Sequence, residues 1–129
     1  MWPFGRPTPS GPHGEHLARR HLRRSGLKIL ARNYRCPAGE IDLIALDRRP
    51  AEGGGATLAF VEVKTRRDDA LTDPSSAVDA DKRRRIRKAA AYYLAQRDSS
   101  GYNVRFDIVS VVLGEAGPPQ VRHIPDAFR

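Results

Sequence analysis

Thr57-Leu58-Ala59-Phe60-Val61-Glu62-Val63-Lys64 is rich in β-branched and aromatic residues, and it is apolar on two sides at once. Strand alternation sends Leu58, Phe60, Glu62 and Lys64 to one face and Ala59, Val61 and Val63 to the other. A strand that begins apolar on both faces belongs at the centre of a sheet covered on both sides. An α/β domain is therefore expected, with a mixed central sheet carrying helices.

The flanking segments fit that expectation. Glu40-Ile41-Asp42-Leu43-Ile44-Ala45-Leu46 reads as the preceding strand, bounded by Pro37-Ala38-Gly39 and Asp47-Arg48-Arg49-Pro50, and Gly53-Gly54-Gly55 suits a flexible hairpin connection. Before it, Lys28 to Tyr34 predicts a short strand. Gly14 to about Ser25 predicts a helix, with Glu15, Ala18 and Leu22 on one face and Arg19, Arg20, Arg23 and Arg24 around the rest. Gly26 stops that helix.

After the central strand, Asp73-Pro74 reads as an N-cap and a first-turn proline. They open a long helix to about Arg97 that packs through Ile86, Ala89, Ala90, Tyr93 and Leu94. Val104 to Leu113 is a strong strand, and Gln120 to Ile124 is an edge strand closed by Pro125. The order is α-β-β-β-α-β-β. Residues 1–12, with Pro3, Pro7, Pro9 and Pro12, read as a disordered lead, and residues 13–129 as a single domain.

Composition narrows the function classes. The chain has 129 residues, 23 Lys+Arg against 15 Asp+Glu and a net charge of +8; its pI is near 10.4. Such charge favours a polyanionic partner, most simply nucleic acid. The lone Cys36 excludes a disulfide framework and a multi-cysteine zinc module. No apolar run approaches the roughly 20 residues of a membrane span, and the first residues hold no signal-peptide core. A cytoplasmic location away from membranes is the expectation.

The acids in the two central strands are harder to place. Glu62 and Lys64 enter a row that starts apolar, and so do Glu40 and Asp42 in the row of Ile44 and Leu46. Burying an unpartnered carboxylate costs several kcal/mol, roughly. Counting inward from the hairpin, Leu46 pairs with Leu58, which brings Asp42 opposite Glu62. Two converging carboxylates repel unless a cation joins them, and Mg²⁺ takes one or two carboxylates plus waters and phosphate oxygens. Lys64, two residues from Glu62 and about 6–7 Å along the face, could orient an attacking water or stabilise charge on a phosphate. The plainer alternative for Glu-x-Lys on a strand is a solvated ion pair.

Several segments together carry a family resemblance. They are Gly39-Glu40-Ile41-Asp42-Leu43-Ile44, Phe60-Val61-Glu62-Val63-Lys64-Thr65-Arg66, Ala77-Val78 with Lys82, Arg105-Phe106-Asp107, His123-Ile124 and Ala127-Phe128. Over about residues 11–129 the chain resembles the bacterial YraN family, itself similar to the PD-(D/E)XK nucleases on the Holliday-junction-resolvase branch. That resemblance implies a restriction-endonuclease-like core and a metal-dependent endonuclease acting on DNA, branched DNA included. It implies Asp42 and Glu62 as ligands of Mg²⁺ or Mn²⁺, Glu15 as an assisting acid, Lys64 as the catalytic lysine, and a homodimer. The plainer reading of Glu15 is an acid offsetting the positive end of its helix. Ile41 stands in place of the superfamily's motif proline, and a glycine expected around Leu71-Thr72-Asp73 is absent.

The remaining candidates concern binding. Lys82 to Arg97 holds seven bases and no acid. Lys82, Arg83, Arg84, Arg87 and Lys88, joined by Arg19, Arg23 and Arg66, are expected to contact phosphates. The resemblance also implies that Lys82 approaches the acids, as the extra helix residue common in such nucleases. Asp107 is expected to pair with a buried arginine, and His13, His16 and His21 to lie on the surface. Cys36, in a loop before Pro37, has no base at nucleophile spacing. A nucleic-acid-binding module without catalysis, for DNA or structured RNA, is the alternative function.

Overall fold

The computed structural model describes residues 12–67, 78–114 and 117–129. In chain order they form α1 (Pro12–Arg24), β1 (Lys28–Cys36), β2 (Gly39–Asp47), β3 (Thr57–Arg66), α2 (Ala80–Ala95), β4 (Asn103–Val112) and β5 (Gln120–Phe128). The order α-β-β-β-α-β-β is the expected one. The five strands make one mixed sheet, β1-β2-β3-β4-β5, antiparallel except where β4 returns parallel to β3 after α2.

β3 is central, as its doubly apolar sequence requires. On one face Leu58 and Phe60 join Ile44, Ile108 and Phe128 under Val78 and the α2 residues Ile86, Ala89, Ala90 and Tyr93. On the other, Ala59, Val61 and Val63 join Leu43, Ala45, Val109 and Val111 under Ala18 and Leu22 of α1. The helices thus cover opposite faces. A chain of rings runs through the α2 side: Phe60 meets Tyr93 edge-on at 5.8 Å, and Phe106 stacks on Phe128 at 5.3 Å.

Gly26, at φ 97°, ends α1. The β2–β3 connection is held rather than loose. Asn103 Nδ2 donates to the Gly54 carbonyl at 3.0 Å. Gly55 has φ +80°, and a Cβ there would meet the Gly101 carbonyl at 3.0 Å.

Several boundaries differ from the sequence reading. α2 begins at Ala80, because Asp79 (φ −75°, ψ 175°) is its N-cap and accepts the Lys82 amide at 2.8 Å. Asp73-Pro74 lies outside the described residues. β5 continues through Pro125 to Phe128. The pairing Phe106↔Phe128 followed by Ile108↔Ile124 leaves two extra residues on β5, so Pro125 and Asp126 (φ 52°) sit in a bulge. An edge strand tolerates this, because proline removes no donor that an interior ladder needs. Cys36 closes β1 rather than lying in a loop, and packs half-buried against the α2-side cluster.

Candidate functional site

The β2–β3 register runs Asp47↔Thr57, Leu46↔Leu58, Ile44↔Phe60, Leu43↔Val61 and stops there. The next positions on the two strands are Asp42 and Glu62. In place of a further ladder bond, the Asp42 carboxylate accepts the Val63 amide at 2.8 Å. This carboxylate replaces a backbone acceptor where the strands part, and it lies within hydrogen-bonding reach of the Glu62 carboxyl.

A local irregularity places it. Ile41 and Ile44 both pack on the α2 side while Leu43 packs on the α1 side, so alternation is interrupted between Leu43 and Ile41, at Asp42. Across the ladder, Asn33 lies between the partners of Leu43 and Ile41 and has φ 50°. Strict alternation could not have revealed this. The signal for it was an asparagine, a residue that accepts left-handed backbone, in the middle of a strand.

Glu62 is 6 % exposed. Its Oε2 lies 3.7 Å from Lys64 Nζ and also contacts Lys82 Nζ, which reaches down from the first turn of α2. Two carboxylates and two ammonium groups thus form one cluster between the β2–β3 fork and α2. Burial, followed by the Glu62 charge, pushes the Asp42 carboxyl well above its usual range against the opposing Val63 amide. Burial and the neighbouring Lys82 charge lower Lys64, only partly offset by Glu62. For Lys82 burial acts downward, but Glu62, Lys64 and Asp42 together outweigh it and the net shift is upward.

The other expected site residues are distributed. Glu40 is exposed and pairs with Arg35 at 3.3 Å. Glu15 sits on α1, on the other face of the sheet from Lys82, and its ion-pair partner is Arg19 at 3.7 Å. Among the described residues no three His, Cys, Asp or Glu side chains converge on a metal position. Arg19 is largely buried on α1 with its Nε unpartnered by hydrogen bonds, whereas Arg23 is exposed. Arg66 ends β3, its carbonyl accepting the Leu113 amide at 2.7 Å.

On α2, Arg83 donates to the Val78 carbonyl and lies over the Phe128 ring. Arg84 pairs with Asp81 at 3.1 Å, and Arg87 donates to the Arg129 carbonyl at 2.8 Å. Arg84, Arg85, Arg87 and Lys88 are exposed.

Asp107 has the arginine partner the sequence suggested. Arg105 binds it through Nε at 2.8 Å and Nη2 at 2.9 Å, and reaches Asp47 at 3.1 Å. His123 Nε2 at 2.8 Å and the Asp126 amide at 3.0 Å complete the network. The His123 contact had no sequence signal, because it depends on the β4–β5 register.

Residues 14–111 match the profile of the family described as "Uncharacterised protein family UPF0102". The chain is 46 % identical over 118 residues to a UPF0102 protein of Nocardia farcinica, covering 92 % of this chain and 87 % of the relative. It is 47 % identical over 124 residues to one from Solibacter usitatus, covering 95 % and 87 %. The chain belongs to the UPF0102 family. This is the YraN resemblance of the sequence, and in this UPF0102 member the matched segment takes in Asp42, Glu62, Lys64, Lys82 and Asp107.

Of these groups only the Asp42 and Glu62 carboxylates offer the oxygen donors that a small divalent cation takes, and the two ammonium groups oppose it. Asp42 and Glu62 would each supply an oxygen, leaving other positions for water and phosphate. No helix among the described residues is long and apolar enough to cross a membrane.

Proposed function

We propose that this UPF0102 protein is a divalent-metal-dependent endonuclease that hydrolyses phosphodiester bonds in DNA, with branched, Holliday-junction-like DNA in its substrate class. One observation carries the reading: the Asp42 and Glu62 carboxylates meet where β2 and β3 separate, with Lys64 on the same carboxylate. Two acids pressed together, with the Asp42 carboxyl raised by burial and by the Glu62 charge, favour a cation that joins them. Lys64, lowered by burial and by Lys82, is suited to hold an attacking water or steady the scissile phosphate. Mg²⁺ or Mn²⁺ held by Asp42 and Glu62 would supply Lewis-acid charge to that phosphate. The basic face of α2, with Arg23 and Arg66, would contact the backbone. Cleavage of paired junction strands needs two sites, so a homodimer is part of the proposal.

The test is incubation with a four-way junction, a flap and duplex DNA in Mg²⁺. Glu62→Ala and Lys64→Ala are expected to lose cleavage and keep binding, and undiminished cleavage in either would overturn the assignment. If Glu15→Ala still cuts, the site is Asp42 and Glu62 alone.

A second reading has its own support. Glu62 is already matched by two ammonium groups, as in a structural ion-pair cluster of a nucleic-acid-binding module without catalysis. Salt-sensitive DNA or RNA binding, with no Mn²⁺-dependent stabilisation that Asp42→Ala abolishes, would favour it.

A further inference from the structure

Glu62 offers one carboxylate to two kinds of partner. Lys82 Nζ contacts its Oε2, the atom Lys64 approaches to 3.7 Å, and the Asp42 charge acts on the same ammonium. Lys82 is thus the counter-ion of the acid pair. A divalent cation joining Asp42 and Glu62 would need that same position, and an ammonium and a metal ion cannot share it. The Lys82 side chain is also one-third exposed, at 34 %, so it is in part open to solvent beside the basic face of α2.

The stem is built to swing from a fixed base. The Lys82 amide is held by the Asp79 cap at 2.8 Å, while four methylenes leave the ammonium free to change partners. The next residues of α2 are Arg83, Arg84 and Arg85, which favour a polyanion alongside.

We infer that Lys82 is an exchangeable counter-ion: it occupies the acid pair until a nucleic-acid phosphate draws it away, so that nucleic-acid binding and metal entry assist one another. This inference rests on the metal-dependent reading above. By linkage, the metal must tighten nucleic-acid binding by the same factor that nucleic acid tightens metal binding. A fixed ion pair that only ties α2 to the sheet would produce no such coupling.

The experiment uses the full chain and two readouts other than cleavage. Mn²⁺ affinity without nucleic acid is measured by electron paramagnetic resonance. Affinity for a labelled four-way junction is measured by fluorescence anisotropy in EDTA and in Ca²⁺. For the wild type, Ca²⁺ is expected to tighten junction binding about tenfold, within the usual range of coupling. Lys82→Met is expected to bind Mn²⁺ about tenfold more tightly and to lose most of the Ca²⁺ effect. Methionine retains helix propensity, and Lys82→Gln, which keeps a polar head, is expected to behave alike. Lys28→Met removes the same charge from the exposed start of β1 and is expected to leave Mn²⁺ affinity and the Ca²⁺ effect unchanged.

If Lys82→Met and the wild type bind Mn²⁺ equally, or the Ca²⁺ effect persists in the variant, the exchange is wrong and the metal reading stands. If neither protein binds Mn²⁺, both fall together.

Discussion

Asp42 shows how one side chain can serve a site at a cost to the fold. It accepts the Val63 amide, which stabilises it, but it also faces Glu62 in a desolvated corner. Its raised pKa means the native state holds the Asp42 proton more tightly than the unfolded chain does. Stability from that proton is present at low pH and is lost as pH climbs from the ordinary aspartate range through the raised value. Asp42→Asn keeps an acceptor for Val63 and removes the repulsion. It is expected to raise stability at pH 8 by about 1 kcal/mol, with the gain shrinking toward pH 4, as thermal denaturation at the two pH values will show. The same variant is expected to lose Mn²⁺ binding. A gain in stability with loss of metal would mark Asp42 as placed for chemistry rather than for folding.

At the scale of elements, β5 is an edge strand interrupted by a bulge, and Asp107 is its anchor. The Asp107 carboxylate is fully buried, and Arg105, His123 and the Asp126 amide all converge on it. Burial acts to raise its pKa, but these hydrogen bonds outweigh burial and hold it below the usual range. The stability it contributes is therefore present above the ordinary aspartate value and is lost as pH falls through the lowered one. Asp107→Ala would leave Arg105 facing Asp47 alone and the bulge amide unpaired. A loss of about 3 kcal/mol in urea unfolding is expected, with amide exchange rising first in β5. Equal protection of β5 in the variant would show that the aromatic stack of Phe106 and Phe128 holds the strand without the acid. At the other end of the fold, Asp79→Ala removes the α2 cap and should cost about 1 kcal/mol in the same assay.

For the molecule as a whole, charge and topology act together. The α2 face carries exposed Arg84, Arg85, Arg87 and Lys88 near a site whose Glu62 is buried and Asp42 half-buried, so a backbone can approach a basic surface before meeting a carboxylate. Nucleic-acid binding is expected to weaken steeply with salt. Replacing Arg85 and Lys88 together by Gln is expected to flatten the log–log salt slope by up to about 2, near 0.9 for each phosphate that is no longer neutralised. Unfolding midpoints should stay unchanged, since both side chains are exposed. An unaltered salt slope would place the nucleic acid elsewhere.

Much of this was legible because it depends on local pattern. The double apolar face of Thr57–Lys64, the glycine after α1 and the pairing of Leu46 with Leu58 all follow from alternation, propensity and hairpin counting. The start of α2 was not legible from those signals, because Asp73-Pro74 and Asp79 both carry capping chemistry and only tertiary placement shows that Asp79 caps the helix. The extension of β5 past Pro125 was hidden for a related reason: a bulge is a compromise between two strands, not a property of one.

The amino-acid order by itself determined the element sequence, the central position of β3, the basic surface and the acids that do not belong in apolar rows. Only the tertiary structure decided what those acids meet. It interrupted the alternation at Asp42, brought Lys82 from beyond residues 68–77 in the chain onto Glu62, and paired Glu15 with Arg19 on α1. Periodicity reports which way a side chain leaves its own strand, whereas its partners are set by packing between segments distant in sequence, where burial makes each unmatched charge costly.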